Sequence, residues 1–229
     1  MPTPVEITPN VYQITRGGNM FLLKTAEGEL TLIDAGIPGS MKTVINAVAA
    51  LGYDASALKH ILITHADPDH VGSVAGIATT TGATIYAGPE TTTHIQNVTQ
   101  PAHLPAPIKW LTTQMVKLVQ KPATVGHTFN DGDTLDIGGG IQAIHAPGHT
   151  PDNFVFYWPQ EGTLFGADLF FRFGKALTLS PALMSWRKTA VDESARKILA
   201  MEPSIICPGH GDTVRAPSPV IDALRGKLG

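Results

Sequence analysis

Four potential metal ligands fall within six residues, His65-Ala66-Asp67-Pro68-Asp69-His70, directly after the apolar run Ile61-Leu62-Ile63. No structural role requires that density of imidazole and carboxylate. A strand that delivers ligands at its carboxyl end, with a helix-like stretch over 72–78 behind it, is the usual geometry of an α/β active site. Loops at strand ends can converge on one point. The pattern recurs at Pro147-Gly148-His149-Thr150, at Gly166-Ala167-Asp168 after a strand-like run, and at Pro208-Gly209-His210-Gly211 after another.

In this order of stations the chain resembles the metallo-β-lactamase superfamily, which has a His-x-His-x-Asp-His cluster, a later His, a bridging Asp and a final His. The resemblance runs from Leu32-Ile33-Asp34-Ala35-Gly36 through His210. It implies a four-layer αββα sandwich of the α/β class. It also implies two divalent cations, the first held by His65, Asp67 and His149, the second by Asp69, His70 and His210, with Asp168 between them. One station departs: Asp67 stands where most members carry His, as in a less common Asp variant of the motif. Asp34, by the same resemblance, lies beneath the cluster and orients a ligand loop through hydrogen bonds; the alternative is an ordinary turn carboxylate, with Gly36 permitting the turn.

Zinc is the expected metal, and added carboxylate makes a site more acceptable to manganese or iron(II). Asp67, Asp69 and Asp168 supply three negative charges against four positive ones, so a bridging hydroxide would make the first shell neutral. Weaker Lewis acidity than in the all-His form, with firmer retention of a hard cation, is the expectation.

The chain has 229 residues, 43% hydrophobic and 15% charged, which is enough to bury a full core; a single domain over 1–229 is expected. A net charge of −3 and scattered Lys and Arg provide no field for a polyanion, so nucleic acid is not an expected partner. The amino terminus has neither a basic stretch nor an apolar core of signal length, and no stretch approaches membrane-spanning length. A cytoplasmic protein without a membrane partner is expected. The lone Cys207 excludes an internal disulfide and reads as a buried strand thiol.

Apolar patterning predicts strands at 11–14, 20–24 and 30–34, the last two joined through Glu27-Gly28 as a hairpin, then strands at 60–64 and 84–87. Val44, Ile45, Val48, Ala49 and Leu51 recur at helical spacing, with Ser40 as the cap and Gly52 as the end. The second half restarts with strands around 134–137, 141–144, 154–157 and 163–165. A helix near 186–201 follows, with Ala190, Ala195, Ile198 and Leu199 as its apolar positions. Residues 89–122 are Thr- and Pro-rich and then apolar around Trp110, longer than an ordinary connection. They read either as a lid or substrate loop, or as a surface helix packed on the body or on a second subunit of a homodimer.

Two divalent cations can lower the pKa of a shared water, hold it for attack and stabilise an oxyanion. Hydrolysis of a small ester-like molecule, whether lactone, ester or thioester, is therefore the expected chemistry, with Asp67 or Asp69 as proton acceptor. No Ser-His-Asp arrangement, nucleophile elbow or phosphate loop competes. Only 19 residues follow His210, so the glutathione-binding helical domain of glyoxalase II is not expected. Two other classes stay open: a mononuclear iron dioxygenase of sulfur compounds, which would consume oxygen, and a non-catalytic module that retains metal or ligand. Of the other histidines, His94 and His103 lie in the 89–122 insertion and could contact a substrate, although a lone His in a loop is usually just exposed.

Overall fold

The computed structural model describes residues 4–101, 103 and 106–228; Met1, Pro2 and Thr3 of the amino terminus, Ala102, Leu104 and Pro105 of the insertion, and Gly229 lie outside them. The chain forms two compact units, one taking the residues up to Pro101 with Ala106–Phe129, the other His103 with Asn130 onward.

The first unit begins with four antiparallel strands, β1 (Val5–Thr8), β2 (Val11–Arg16), β3 (Gly18–Ala26) and β4 (Glu29–Ile33). There follow α1 (Met41–Ala50), β5 (Leu58–Leu62), α2 (Pro68–Val71), α3 (Val74–Thr81), β6 (Thr84–Ala87), α4 (Pro89–Asn97), α5 (Ala106–Val119) and β7 (His127–Thr128). The seven strands make one sheet in sequence order, and β4 to β7 run parallel. Alternation builds the core: Tyr12 and Ile14, Met20 and Leu22, Leu30 and Leu32, Ile61 and Ile63, Ile85 and Ala87 share one cluster with Val44, Ala47 and Val48 of α1 and Val74 and Ile77 of α3. Leu23, Ile33 and Leu62, at the opposite parity, are also buried, as expected of strands covered on both faces.

Two expectations are adjusted. Ser40 stands at the amino end of α1 without a side-chain capping bond; its backbone N–H donates to Ser73 Oγ at 2.7 Å instead. The strand expected over 60–64 ends at Leu62, because the Thr64 N–H leaves the ladder to donate to the Asp34 carboxylate.

The second unit contains β8 (Thr134–Leu135), β9 (Ile141–His145), β10 (Phe154–Trp158), β11 (Thr163–Phe165), β12 (Phe170–Phe173), β13 (Ala176–Leu179), α6 (Lys188–Leu199), β14 (Ile205–Cys207), β15 (Val214–Arg215) and α7 (Pro219–Leu228). Its six-stranded sheet runs β15-β14-β11-β10-β9-β8, and β12 pairs only with β13. Among the described strands of that sheet, β11 and β14 are the one parallel pair. The expected helix is α6, and all four of its anticipated apolar positions are buried, joined by Val191. The β12–β13 hairpin and α7 were not anticipated. Phe173 at the hairpin tip is exposed, which breaks the apolar alternation that marks a strand.

Candidate metal centre

In the first unit the cluster sits at the carboxyl ends of parallel strands. Ile33 of β4 is the register partner of Leu62 of β5, so Asp34 and Thr64-His65 leave the sheet at the same edge. Pro68 opens the short helix α2 with its fixed φ, and α2 carries Asp69 and His70. Asp34 has φ 60°, a left-handed conformation that few non-glycine residues adopt and that is usually retained for a purpose. Here it aims the carboxylate at two partners. Oδ2 lies 2.8 Å from His70 Nδ1, and the Thr64 hydroxyl donates to both carboxylate oxygens at 3.0 and 2.8 Å.

These bonds fix both imidazole tautomers. A carboxylate only accepts, so His70 Nδ1 carries the proton, and in the neutral ring Nε2 keeps its lone pair. The single hydroxyl proton of Thr64 is directed to Asp34, so at 3.0 Å from His65 Nδ1 the hydroxyl oxygen must accept. His65 Nε2 is therefore also a lone-pair donor. Both imidazoles are fully buried and their ring centroids are 4.2 Å apart. A Cβ on Gly18 would come within 3.1 Å of His70 Nε2, so a glycine there keeps the front of that nitrogen open.

The second unit repeats the device at its parallel pair. Gly166-Ala167-Asp168 follows β11, and Pro208-Gly209-His210 follows β14. The two loops are stitched by Gly166 N–H to Cys207 O and Gly209 N–H to Ala167 O, each 2.7 Å. Ala167 also has a left-handed backbone, φ 46°, directly before Asp168. A Cβ on Gly209 would overlap Asp168 Oδ1, so the glycine in Pro208-Gly209-His210 makes the space that the carboxylate occupies. His149, in the loop after β9, is buried, with Nδ1 2.9 Å from Ser180 Oγ. His210 stacks on Phe171 at 4.9 Å with an interplanar angle of 5°.

Asp168 Oδ2 is 3.4 Å from Nε2 of both His149 and His210, the disposition of a carboxylate placed between two sites. In the first unit, Asp67 Oδ2 is 3.6 Å from His65 Nε2 and Asp69 Oδ2 is 3.9 Å from His70 Nε2. Charge-assisted N–H···O bonds close to about 2.7–2.9 Å. Two donors on one tetrahedral cation, each about 2.0–2.2 Å from it, lie about 3.3–3.6 Å apart. The distances match the second figure, with His70 and Asp69 slightly wider. Asp67, although shorter than His, reaches its partner. The donor set in each unit thus fits divalent metal.

The remaining histidines divide. His145 ends β9 with Nε2 2.8 Å from Pro151 O, and His94 Nδ1 is 2.7 Å from Thr99 Oγ1, both local structural roles. His60 and His127 flank the ring of Tyr86. His103 differs: in the second unit its ring is 5.1 Å from that of His149, tilted by 44°. The sequence reading took it for a loop histidine and missed Thr64 and Ser180, because nothing local marks a residue whose partner is distant in the chain. Asn153 Nδ2 donates to Ala146 O at 3.0 Å, a loop-bracing bond. Cys207 is a fully buried strand thiol, and burial pushes it up to about 12, so it is inert at neutral pH.

The profile of the metallo-β-lactamase superfamily matches residues 14–210. The chain belongs to that superfamily. Uncharacterized protein YobT of Bacillus subtilis is 34% identical over 211 residues, 87% of this chain and 85% of its own length. A hydroxyacylglutathione hydrolase of Fuscovulum blasticum is 28% identical over 195 residues, and there the match takes in 83% of this chain but 61% of the relative. A class B3 metallo-β-lactamase with an active-site glutamic acid superposes with TM-score 0.73 at 22% identity, over 100% of this chain and 90% of that one. The superfamily fold expected from the sequence, α/β with two large sheets and helices, is therefore present. Among the described residues no helix is long and apolar enough to cross a membrane.

Proposed function

We propose that this chain is a cytoplasmic, dinuclear metal-dependent hydrolase that acts with water on a small ester-like molecule: a lactone, ester or thioester. The observation that carries this reading is the ligand geometry, in which four imidazole Nε2 atoms each stand 3.4–3.9 Å from a carboxylate oxygen. The order of stations shared with the superfamily supports an assignment in which His65, Asp67 and His149 would hold the first cation, Asp69, His70 and His210 the second, and Asp168 would serve both. Zinc fits the imidazoles, while manganese and iron(II) fit the added carboxylate.

Bound divalent cations supply Lewis acidity, which activates water and polarises an acyl carbonyl. The chain's own residues do the rest. Asp34 holds His70 directly, and His65 through Thr64, in the tautomers that donate Nε2. Asp69 has a side chain 31% exposed against 9% for Asp67, so it is the carboxylate better able to accept a proton and release it to solvent. Similarity to a hydroxyacylglutathione hydrolase supports acyl hydrolysis. Protein freed of metal by a chelator is assayed on lactones, aryl esters, acyl thioesters and β-lactams, then reloaded with zinc, manganese or iron(II). Hydrolysis that vanishes and returns with metal supports the reading. Hydrolysis indifferent to the chelator, or oxygen uptake on a persulfide without hydrolysis, overturns it.

A further inference from the structure

His103 comes from the 89–122 insertion yet groups with the second unit, beside His149. A ring nitrogen of each lies within 4.8 Å of the other. His149 is partnered on its far side, Nδ1 to Ser180 Oγ, so the edge it turns toward metal is Nε2, which also faces Asp168. The set assigned to the first cation has lost an imidazole, since Asp67 occupies a station where most of the superfamily has His.

We propose that His103 supplies that missing nitrogen donor as an additional ligand of the first cation beside His149, an inference that rests on the metal-dependent reading above. Two imidazoles bound through nitrogen to one cation at about 2.0–2.1 Å each, at the angles of about 90–120° between neighbouring donors of a five-coordinate site, place their ring centroids about 4.5–5.5 Å apart. The observed 5.1 Å agrees. In the second unit the first cation would then meet two imidazoles, His103 and His149, beside the Asp168 carboxylate that serves both cations. Ring packing alone also brings aromatic centroids to about 4.5–7 Å, so the test must keep the ring and remove the nitrogens.

His103→Phe does this. Cobalt(II) is titrated into metal-free wild type, His103→Phe and His149→Ala, following d–d absorption and competition with a chromophoric chelator. Metal-free thermal stability of wild type and His103→Phe is compared in parallel. The expected result for His103→Phe is a loss of cobalt affinity at one of two sites of about 10–100-fold, with an altered absorption band and unchanged metal-free stability. Wild-type affinity and spectrum in His103→Phe, with cobalt weakened in His149→Ala, removes His103 from the ligand set and leaves the metal reading intact. Wild-type cobalt binding in both variants overturns that reading as well.

Discussion

Asp34 and His70 stand 36 positions apart in the chain and meet at 2.8 Å, carboxylate to Nδ1. The same carboxylate takes the Thr64 hydroxyl, and through it governs His65, so one residue sets the protonation geometry of two imidazoles. Outer partners of this kind typically account for 10–100-fold in metal affinity.

Asp34→Asn tests this arrangement with little disturbance, because Asn is nearly the same size and tolerates the left-handed backbone at this position. Its amide can present N–H to His70 Nδ1, which would move the imidazole proton onto Nε2 and block donation. Zinc affinity measured by chelator competition should fall about 10–100-fold. Wild-type affinity would show that Asp34 only braces the loop.

Asp67→His removes one negative charge from the first site and returns an imidazole. The ratio of zinc to manganese affinity should rise by about tenfold, ~1.4 kcal/mol. An unaltered ratio would mean that selectivity is set elsewhere and would reject the charge argument.

Trp110 lies on α5 with 67% of its surface exposed; Leu111, Leu118 and Val119 of the same helix are exposed too, while Val116 is buried. Most of the Trp110 surface is therefore not spent on packing within the chain. Trp110→Ala should change stability by no more than about 0.5 kcal/mol and leave metal content intact. A rise in KM supports a lid over substrate. A changed oligomeric state with the same KM assigns the face to a second subunit and eliminates the lid.

The site was legible where chemistry and strand ends coincide. His65 to His70 after an apolar run, and the two Gly-containing loops around Asp168 and His210, announced themselves because short spacing carries the geometry. Asp34 was readable only through family resemblance. Its reach to His70 depends on β4 and β5 being parallel neighbours, which periodicity does not encode. Thr64 and Ser180 were not readable: Ser180 meets His149 across 31 positions, and Thr64, which looks like the end of a strand, is held by Asp34 from 30 positions away. His103 was read only as a loop histidine able to contact substrate, because its place beside His149 is tertiary. The β12–β13 hairpin escaped for a different reason, since an exposed Phe173 at its tip breaks the expected alternation.

Gly209 gives a separate check on the second unit. Any Cβ there would collide with Asp168 Oδ1 and the Ala167 carbonyl. Gly209→Ala should displace the shared carboxylate and cut bound metal by at least about half, on the scale of losing one of two sites, with the circular dichroism spectrum unchanged. Full metal loading would show that Asp168 is not a ligand.

Metal held by the histidines and carboxylates and hydrolysis by that metal should be lost together. Metal content by mass spectrometry, on wild type and His210→Ala purified without added metal, tests it most directly when hydrolysis is assayed on the same samples. The expected result is about two divalent cations per wild-type chain, fewer in the variant, and no hydrolysis by the variant. Wild-type metal content and wild-type hydrolysis in His210→Ala would contradict it.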